Sequence, residues 1–153
     1  MADAAEPIEV LIQRLPGNDL PLPARGTAHA SGFDLRACID EPLTVDPGRR
    51  SLVPTGIAIA LPEGWEAQIR PRSGLAFEWG LTMLNSPGTI DADYRGEIRV
   101  LAVNLGERPV ILRRGDRIAQ MIFARAPEVT LRAVESLPAS ERGAGGFGHT
   151  GSK

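Results

Sequence analysis

The chain has 153 residues, the size of one ordinary domain. Seventeen basic and 19 acidic residues leave a net charge of −2, which excludes a general nucleic-acid coat and a polybasic membrane binder. Seventeen glycines and 13 prolines, with a 42% hydrophobic content and 5% aromatics, predict short strands joined by turns and exclude an extended helical bundle.

In chain order, Ile8–Ile12 is a β-prone run closed by Pro16-Gly17, and residues 18–31 are an aperiodic loop. Leu43–Val45 and Ser51–Val53 flank Asp46-Pro47-Gly48, whose turn chemistry predicts a hairpin. Gly56–Leu61 is an apolar run, and Trp65–Arg70 alternates apolar and polar residues at period two. Ser73–Trp79 alone reads as helical, with Ser73 as its cap and Leu75, Ala76, Phe77 and Trp79 to pack it. Ile98–Leu105 and Val110–Leu112 form the arms of a second predicted hairpin around Gly106–Pro109. Arg117–Arg125 is a longer strand, and Glu128–Val134 is the last one expected. The expected fold is all-β, a single-domain jelly-roll barrel or sandwich with one short helix. It divides into a barrel domain, residues 1–139, and a flexible glycine-rich C-terminal arm, residues 140–153.

Cys38 is the single cysteine, so neither an internal disulfide nor a thiolate cluster can form; that usage fits a reducing cytosol, and Cys38 reads as a small buried side chain. The acidic Met1–Glu6 segment lacks the basic and apolar regions of a signal peptide, and no run reaches the ~20 apolar residues of a membrane span, so a cytoplasmic location is expected. Sixteen of the 17 basic residues are arginine and Lys153 is the sole lysine, so phosphate binding must use guanidinium forks and backbone amides. His29 and His149 are too isolated for a zinc site.

Three stretches concentrate chemistry. Pro71–Ala76 puts an arginine, a hydroxyl and a glycine at a helix start, which serves equally as a structural cap or an anion cradle. Asn85–Glu97 packs four charges, an amide and the only tyrosine into thirteen residues. If Thr89–Asp93 is extended, Asp91 and Asp93 share a face, and their like charges resist joint ionisation, as suits a general base. Arg142–Gly151 combines a charge, a ring and five glycines, either as a linker or as a flap over a nucleotide.

In this order the stretches resemble the five motifs of the trimeric dUTPase family: Ala30–Ala37, Pro71–Ala76, Gly88–Glu97 with Asn85 ahead of it, Arg114–Met121, and Arg142–Gly151. The Gly-x-Ile-Asp-x-Asp-Tyr-Arg-Gly-Glu string is the most specific of them; His149 departs by standing where many relatives have serine. The resemblance implies a homotrimer of jelly-roll subunits with active sites shared at their interfaces. It implies hydrolysis of dUTP to dUMP and diphosphate, with no nucleic-acid or membrane partner. Asp91 would activate the water that attacks the α-phosphorus and accept a bond from the sugar 3′-hydroxyl. Tyr94 would underlie the deoxyribose and reject a 2′-hydroxyl, while Asn85, Thr89 and Ile90 would read uracil. Arg72, Ser73, Gly74 and Gln120 would hold the phosphates, and Arg142 and Gly148 would grip the γ-phosphate while Phe147 stacks on the base. Arg99 would sit at the pocket rim. Mg²⁺ would be held by phosphates and water, with no direct protein ligand and with Asp34 acting through water. The alternatives are a dCTP deaminase-like enzyme and a non-catalytic nucleotide-binding module on the same fold; the Asp91–Gly96 string and the intact glycine arm argue against both.

Overall fold

The structure is a computed structural model and describes residues 7–146. Eleven strands and one helix follow in order among the described residues: β1 (Leu11–Arg14), β2 (Phe33–Arg36), β3 (Leu43–Val45), β4 (Arg50–Pro54), β5 (Ile57–Ala60), β6 (Trp65–Arg70), α1 (Ser73–Trp79), β7 (Leu81–Met83), β8 (Gly88–Ile90), β9 (Arg99–Asn104), β10 (Val110–Leu112) and β11 (Arg117–Arg125). All pairings are antiparallel, in sheets ordered β2-β11-β6-β8, β4-β9-β7, β1-β5 and β3-β10. This is the expected all-β jelly roll.

Period-two patterning decides which side of each strand enters the core. In β6, Ala67 and Ile69 are buried, while Glu66, Gln68 and Arg70 turn to the other face. Leu35, Val45, Val53 and Val100 meet them from other strands, with Ile98 just ahead of β9, so the core is aliphatic, in keeping with the scarcity of rings. Asn104 lies fully buried among these side chains with all its polar atoms engaged: Nδ2 donates to the Val45 and Arg108 carbonyls at 2.8 Å each, and Oδ1 accepts the Gly106 N–H at 2.8 Å.

Five sequence expectations are corrected. The Asp46-Pro47-Gly48 turn forms, with Gly48 at φ 72° and the Arg49 N–H donating to the Asp46 carbonyl at 2.9 Å, yet its flanks are not a hairpin. β3 pairs with β10 and β4 with β9, because the chain crosses between sheets at the turn. For the same reason β9 and β10 are not hairpin partners. Ser73 is the first helical residue and not the cap; Arg72 holds that position in extended conformation without a side-chain capping bond. Of the residues expected to pack α1, Leu75 touches the core, whereas Phe77 is 92% exposed. Finally, Glu128–Val134 forms no strand, and Leu131 stands 92% exposed. The last barrel strand ends at Arg125, and the Ala126 N–H still bonds the Gly64 carbonyl at 2.9 Å.

Candidate functional site

Two open clefts gather most of the candidate residues, and they share no lining side chain. The first, about 350 Å³, is lined by Ala30, Ser31, Gly32, Asp34, Arg72, Ser73, Gly74, Arg117 and Gln120, with Gly26. It lies where β2 and β11 run side by side, Asp34 opposite Gln120, and where β6 gives way through Pro71 to α1. Gln120 fastens the corner, its Nε2 donating to the Pro71 carbonyl at 3.0 Å. Gly32 makes room for it: a Cβ there would fall 3.2 Å from Gln120 Cβ and collide with its amide oxygen.

Asp34 is the acidic centre of this cleft and is held by two guanidinium groups. Arg72 Nε lies 3.2 Å from one carboxylate oxygen and Arg117 NH1 3.0 Å from the other. Arg72 is further oriented by donating to the Arg117 carbonyl at 3.2 Å. Two positive charges against one carboxylate leave a cationic surplus beside the uncapped amides of α1. Gly74 is informative because packing does not demand it: a Cβ built there meets no atom within 4 Å.

The second cleft, about 580 Å³, is lined by Leu52, Thr89, Ile90, Asp91, Tyr94, Gly96, Glu97 and Arg99. β8 ends at Ile90, and Asp91–Tyr94 is a turn closed by the Tyr94 N–H to the Asp91 carbonyl at 3.1 Å. Asp91 and Asp93 therefore do not share a strand face, and the premise for their mutual repulsion falls away. Both are exposed. The Tyr94 hydroxyl donates to the Glu97 carbonyl at 3.0 Å, and its ring lies so close to Gly96 that a Cβ there would sit 2.6 Å from Cζ. Arg95 braces the turn from behind, NH1 donating to the Ala92 and Tyr94 carbonyls at 2.6 and 2.9 Å. Arg99 pairs with Glu97, Nε to Oε2, at 3.0 Å. Asn85 lies near the start of β8, its Nδ2 3.3 Å from where a Gly88 Cβ would be. Sequence reading gave no role to Arg117, Glu97 or Leu52. Arg117 and Glu97 lie inside motif stretches and were open to it; Leu52 carries no signal, being one exposed residue of β4.

The assembled features are a glycine-backed arginine cleft and a compact Tyr-over-Gly turn, at the positions the motifs mark. A protein-family model described as dUTPase matches residues 18–151. The chain belongs to the dUTPase family. Over 147 residues it is 54% identical to the deoxyuridine 5′-triphosphate nucleotidohydrolase of Caulobacter vibrioides strain NA1000, covering 94% of this chain and 95% of that protein. Its fold matches a variant of the Staphylococcus bacteriophage 80alpha dUTPase solved with dUpNHpp, at TM-score 0.81 and 23% identity over 94% of this chain and 98% of the other. A variant of the dUTPase from phage phi11 of S. aureus, solved for the coordination of a structural Mg(II) ion, matches at TM-score 0.76 and 19% identity over 84% and 98%.

On this dUTPase-family chain the fifth motif is only partly described. Arg142 is exposed, and its Nε donates to the Gly145 carbonyl at 2.8 Å; Phe147 and Gly148 lie outside the described residues. Among the described residues no group of three or more His, Cys, Asp or Glu could hold a metal ion. The donor set fits a hydrated cation better than a bare one. Both Asp34 oxygens already accept from arginine, yet a carboxylate offers about four lone-pair sites and can still accept a metal-bound water. No described helix is long and apolar enough to cross a membrane.

Beside the first cleft, motif four also anchors the N-terminal loop. Arg114 NH2 bonds Asp19 Oδ1 at 2.6 Å and the Gly17 carbonyl at 2.7 Å. The hydrogen bond from Arg114 holds the Asp19 carboxyl below its usual 3.8, and the bond from Asp19 raises the Arg114 guanidinium in return.

Proposed function

We propose that the chain hydrolyses dUTP to dUMP and diphosphate, as a homotrimer whose active centres each join the arginine cleft of one subunit to the Tyr94 cleft of another. The observation that carries this reading is the split itself: phosphate-binding chemistry and nucleoside-binding chemistry stand in two open clefts with no common wall. One subunit alone offers half a site, and a closed ring of subunits supplies the other half.

Arg72, Ser73 and the Gly74 amide would take the phosphate chain, with Gln120 holding the corner. Asn85, Thr89 and Ile90 would meet the uracil edge; the backbone of β8 would leave no space for the thymine methyl and mismatch the donor pattern of cytosine. Tyr94, pressed onto Gly96, would form the floor under the deoxyribose and leave no volume for a 2′-hydroxyl. Asp91 would accept the 3′-hydroxyl and a proton from the water that attacks the α-phosphorus, forming the new P–O bond as diphosphate leaves. Mg²⁺, bound with the triphosphate, would supply neutralisation of charge on the phosphates, held by Asp34 through water. Arg142, Phe147 and Gly148 of the arm would grip the γ-phosphate and cover the base, which excludes bulk water. Arg99 would contact the substrate at the rim. The activity would keep uracil out of DNA and supply dUMP for thymidylate in the cytoplasm, where a single-cysteine chain is at home. We further assign residues 1–139 to the barrel unit and 140–153 to the covering arm.

Diphosphate release from dUTP, dCTP, dTTP and UTP, each with and without Mg²⁺, tests the reading. Release from dUTP alone, stimulated by Mg²⁺, is expected; deamination of dCTP or inert binding of nucleotides would overturn it.

A further inference from the structure

Glu97 ends the third motif, and both its carboxylate oxygens are engaged. Its side chain is 17% exposed; Oε1 accepts the Gly56 N–H at 2.9 Å, and Oε2 pairs with Arg99 Nε at 3.0 Å. Its backbone carbonyl accepts the Tyr94 hydroxyl at 3.0 Å. One residue thus joins the sugar-side tyrosine, the rim arginine and a point deep in the barrel.

That point is rigid. Gly56 is buried with φ 66°, where a side chain would lie 2.7 Å from Cys38 Sγ and 2.9 Å from Asn18 Cβ. Its carbonyl accepts the Leu15 N–H at 2.9 Å and Asn18 Nδ2 at 2.8 Å. The chain jogs here between β4 and β5, so the Gly56 N–H finds a carboxylate where a strand ladder would offer a carbonyl. A buried N–H needs such an acceptor. Adjoining bonds, from the Ile98 N–H to the Ile57 carbonyl at 2.9 Å and from the Thr55 N–H to the Ile98 carbonyl at 3.3 Å, lock the jog to the start of β9.

We propose that Glu97 is the positioning residue for nucleoside selection, tying the Asp91–Gly96 turn and Arg99 to the barrel through Gly56. The proposal rests on reading the Tyr94 cleft as the nucleoside pocket. For the bond to Gly56, length matters more than charge. Glutamine keeps an oxygen in reach of the Gly56 N–H; aspartate keeps the charge but withdraws it by one methylene.

The test compares Glu97→Asp with Glu97→Gln, with Glu97→Ala taking the place of Glu97→Asp if the latter does not fold. Tyr94 is the only tyrosine, so its ring signal in an NMR spectrum reports its position with no assumption about substrate. Glu97→Asp should shift that signal, raise KM for dUTP about tenfold with kcat within about threefold, and lower the preference for dUTP over UTP. Glu97→Gln, which keeps the Gly56 bond and gives up only the Arg99 pair, should keep the ring signal and lose less of the preference than Glu97→Asp. A Glu97→Asp variant with unshifted Tyr94 and unchanged KM would overturn the proposal, as would a Glu97→Gln variant as impaired as Glu97→Asp. Failure of the unmodified chain to hydrolyse dUTP would overturn the functional reading instead, and the ring signal would still decide the tether.

Discussion

The ring of Tyr94 rests on the bare Cα of Gly96, so closely that a methyl group on Gly96 would sit 2.6 Å from Tyr94 Cζ. A tyrosine set two residues from a glycine is folded back onto it by the Asp91–Tyr94 turn, and its hydroxyl is tied to the Glu97 carbonyl. Gly96→Ala should push the ring into the cleft, raise KM for dUTP and leave the thermal midpoint within a few degrees of the parent. Replacing Tyr94 by a smaller side chain should do the opposite to selectivity and raise the rate on UTP relative to dUTP. An unchanged UTP-to-dUTP ratio of kcat/KM in the Tyr94 variant would remove the sugar-gate role.

Asn104 gives a stability prediction independent of catalysis. Asn104→Ala leaves the Val45 and Arg108 carbonyls and the Gly106 N–H without this partner; Asn104 and its Val45 bond are buried, and the other two bonds are part-buried. Unpaired buried groups each cost about 1–3 kcal/mol, and relaxation makes the sum less than additive, so a loss of about 3 kcal/mol is expected. Denaturant unfolding with an unchanged m-value checks it.

The Arg114–Asp19 pair predicts a pH dependence. The Arg114 bond depresses the folded-state Asp19 carboxyl, so its contribution is fully present above the ordinary 3.8 and is lost as pH falls through the lower folded value. Both partners are on the surface, so the effect is small and screened by salt. The advantage of the parent over Asp19→Asn in denaturant midpoint should be present at neutral pH, decline once the pH falls below 3.8, and vanish below the lowered folded-state value.

Removal of residues 142–153 should leave the barrel intact and impair hydrolysis. Among the described arm residues the hydrogen bonds are internal: the Gly143 N–H to the Ser140 carbonyl at 3.1 Å and the Gly145 N–H to the Arg142 carbonyl at 3.1 Å. A truncated chain with the same elution volume and melting curve but poor turnover is expected; loss of the trimer on a sizing column would contradict it.

These relationships mark what sequence could and could not supply. β6 and β11 were legible to the residue, because Trp65–Arg70 alternates at period two up to Pro71 and Arg117–Arg125 is a long apolar-rich run closed by Pro127. Turn chemistry at Asp46-Pro47-Gly48 was equally local and equally legible. Partnership was not: nothing within residues 43–53 says that Val45 will face Val110 while Val53 faces Val100. Glu128–Val134 has strand propensity but no partner strand within the described chain, and propensity alone builds no strand. At the candidate site, the motifs named Asp34, Arg72 and Tyr94, yet not the Asp34–Arg117 pair or the Glu97–Gly56 bond, which join residues 83 and 41 positions apart.

The central claim, one catalytic centre made from two half-sites on different subunits, has a direct test by complementation. Arg72→Ala disables the phosphate half and Asp91→Asn the nucleoside half; loss of a general base alone should slow turnover at least about a hundredfold. Each pure variant should therefore be nearly inactive on dUTP. Co-refolded in equal amounts, they should recover about a quarter of the parent activity, the fraction of subunit interfaces that join two intact halves in a randomly mixed trimer. A mixture no more active than its components would contradict the shared centre and place both halves on a single chain.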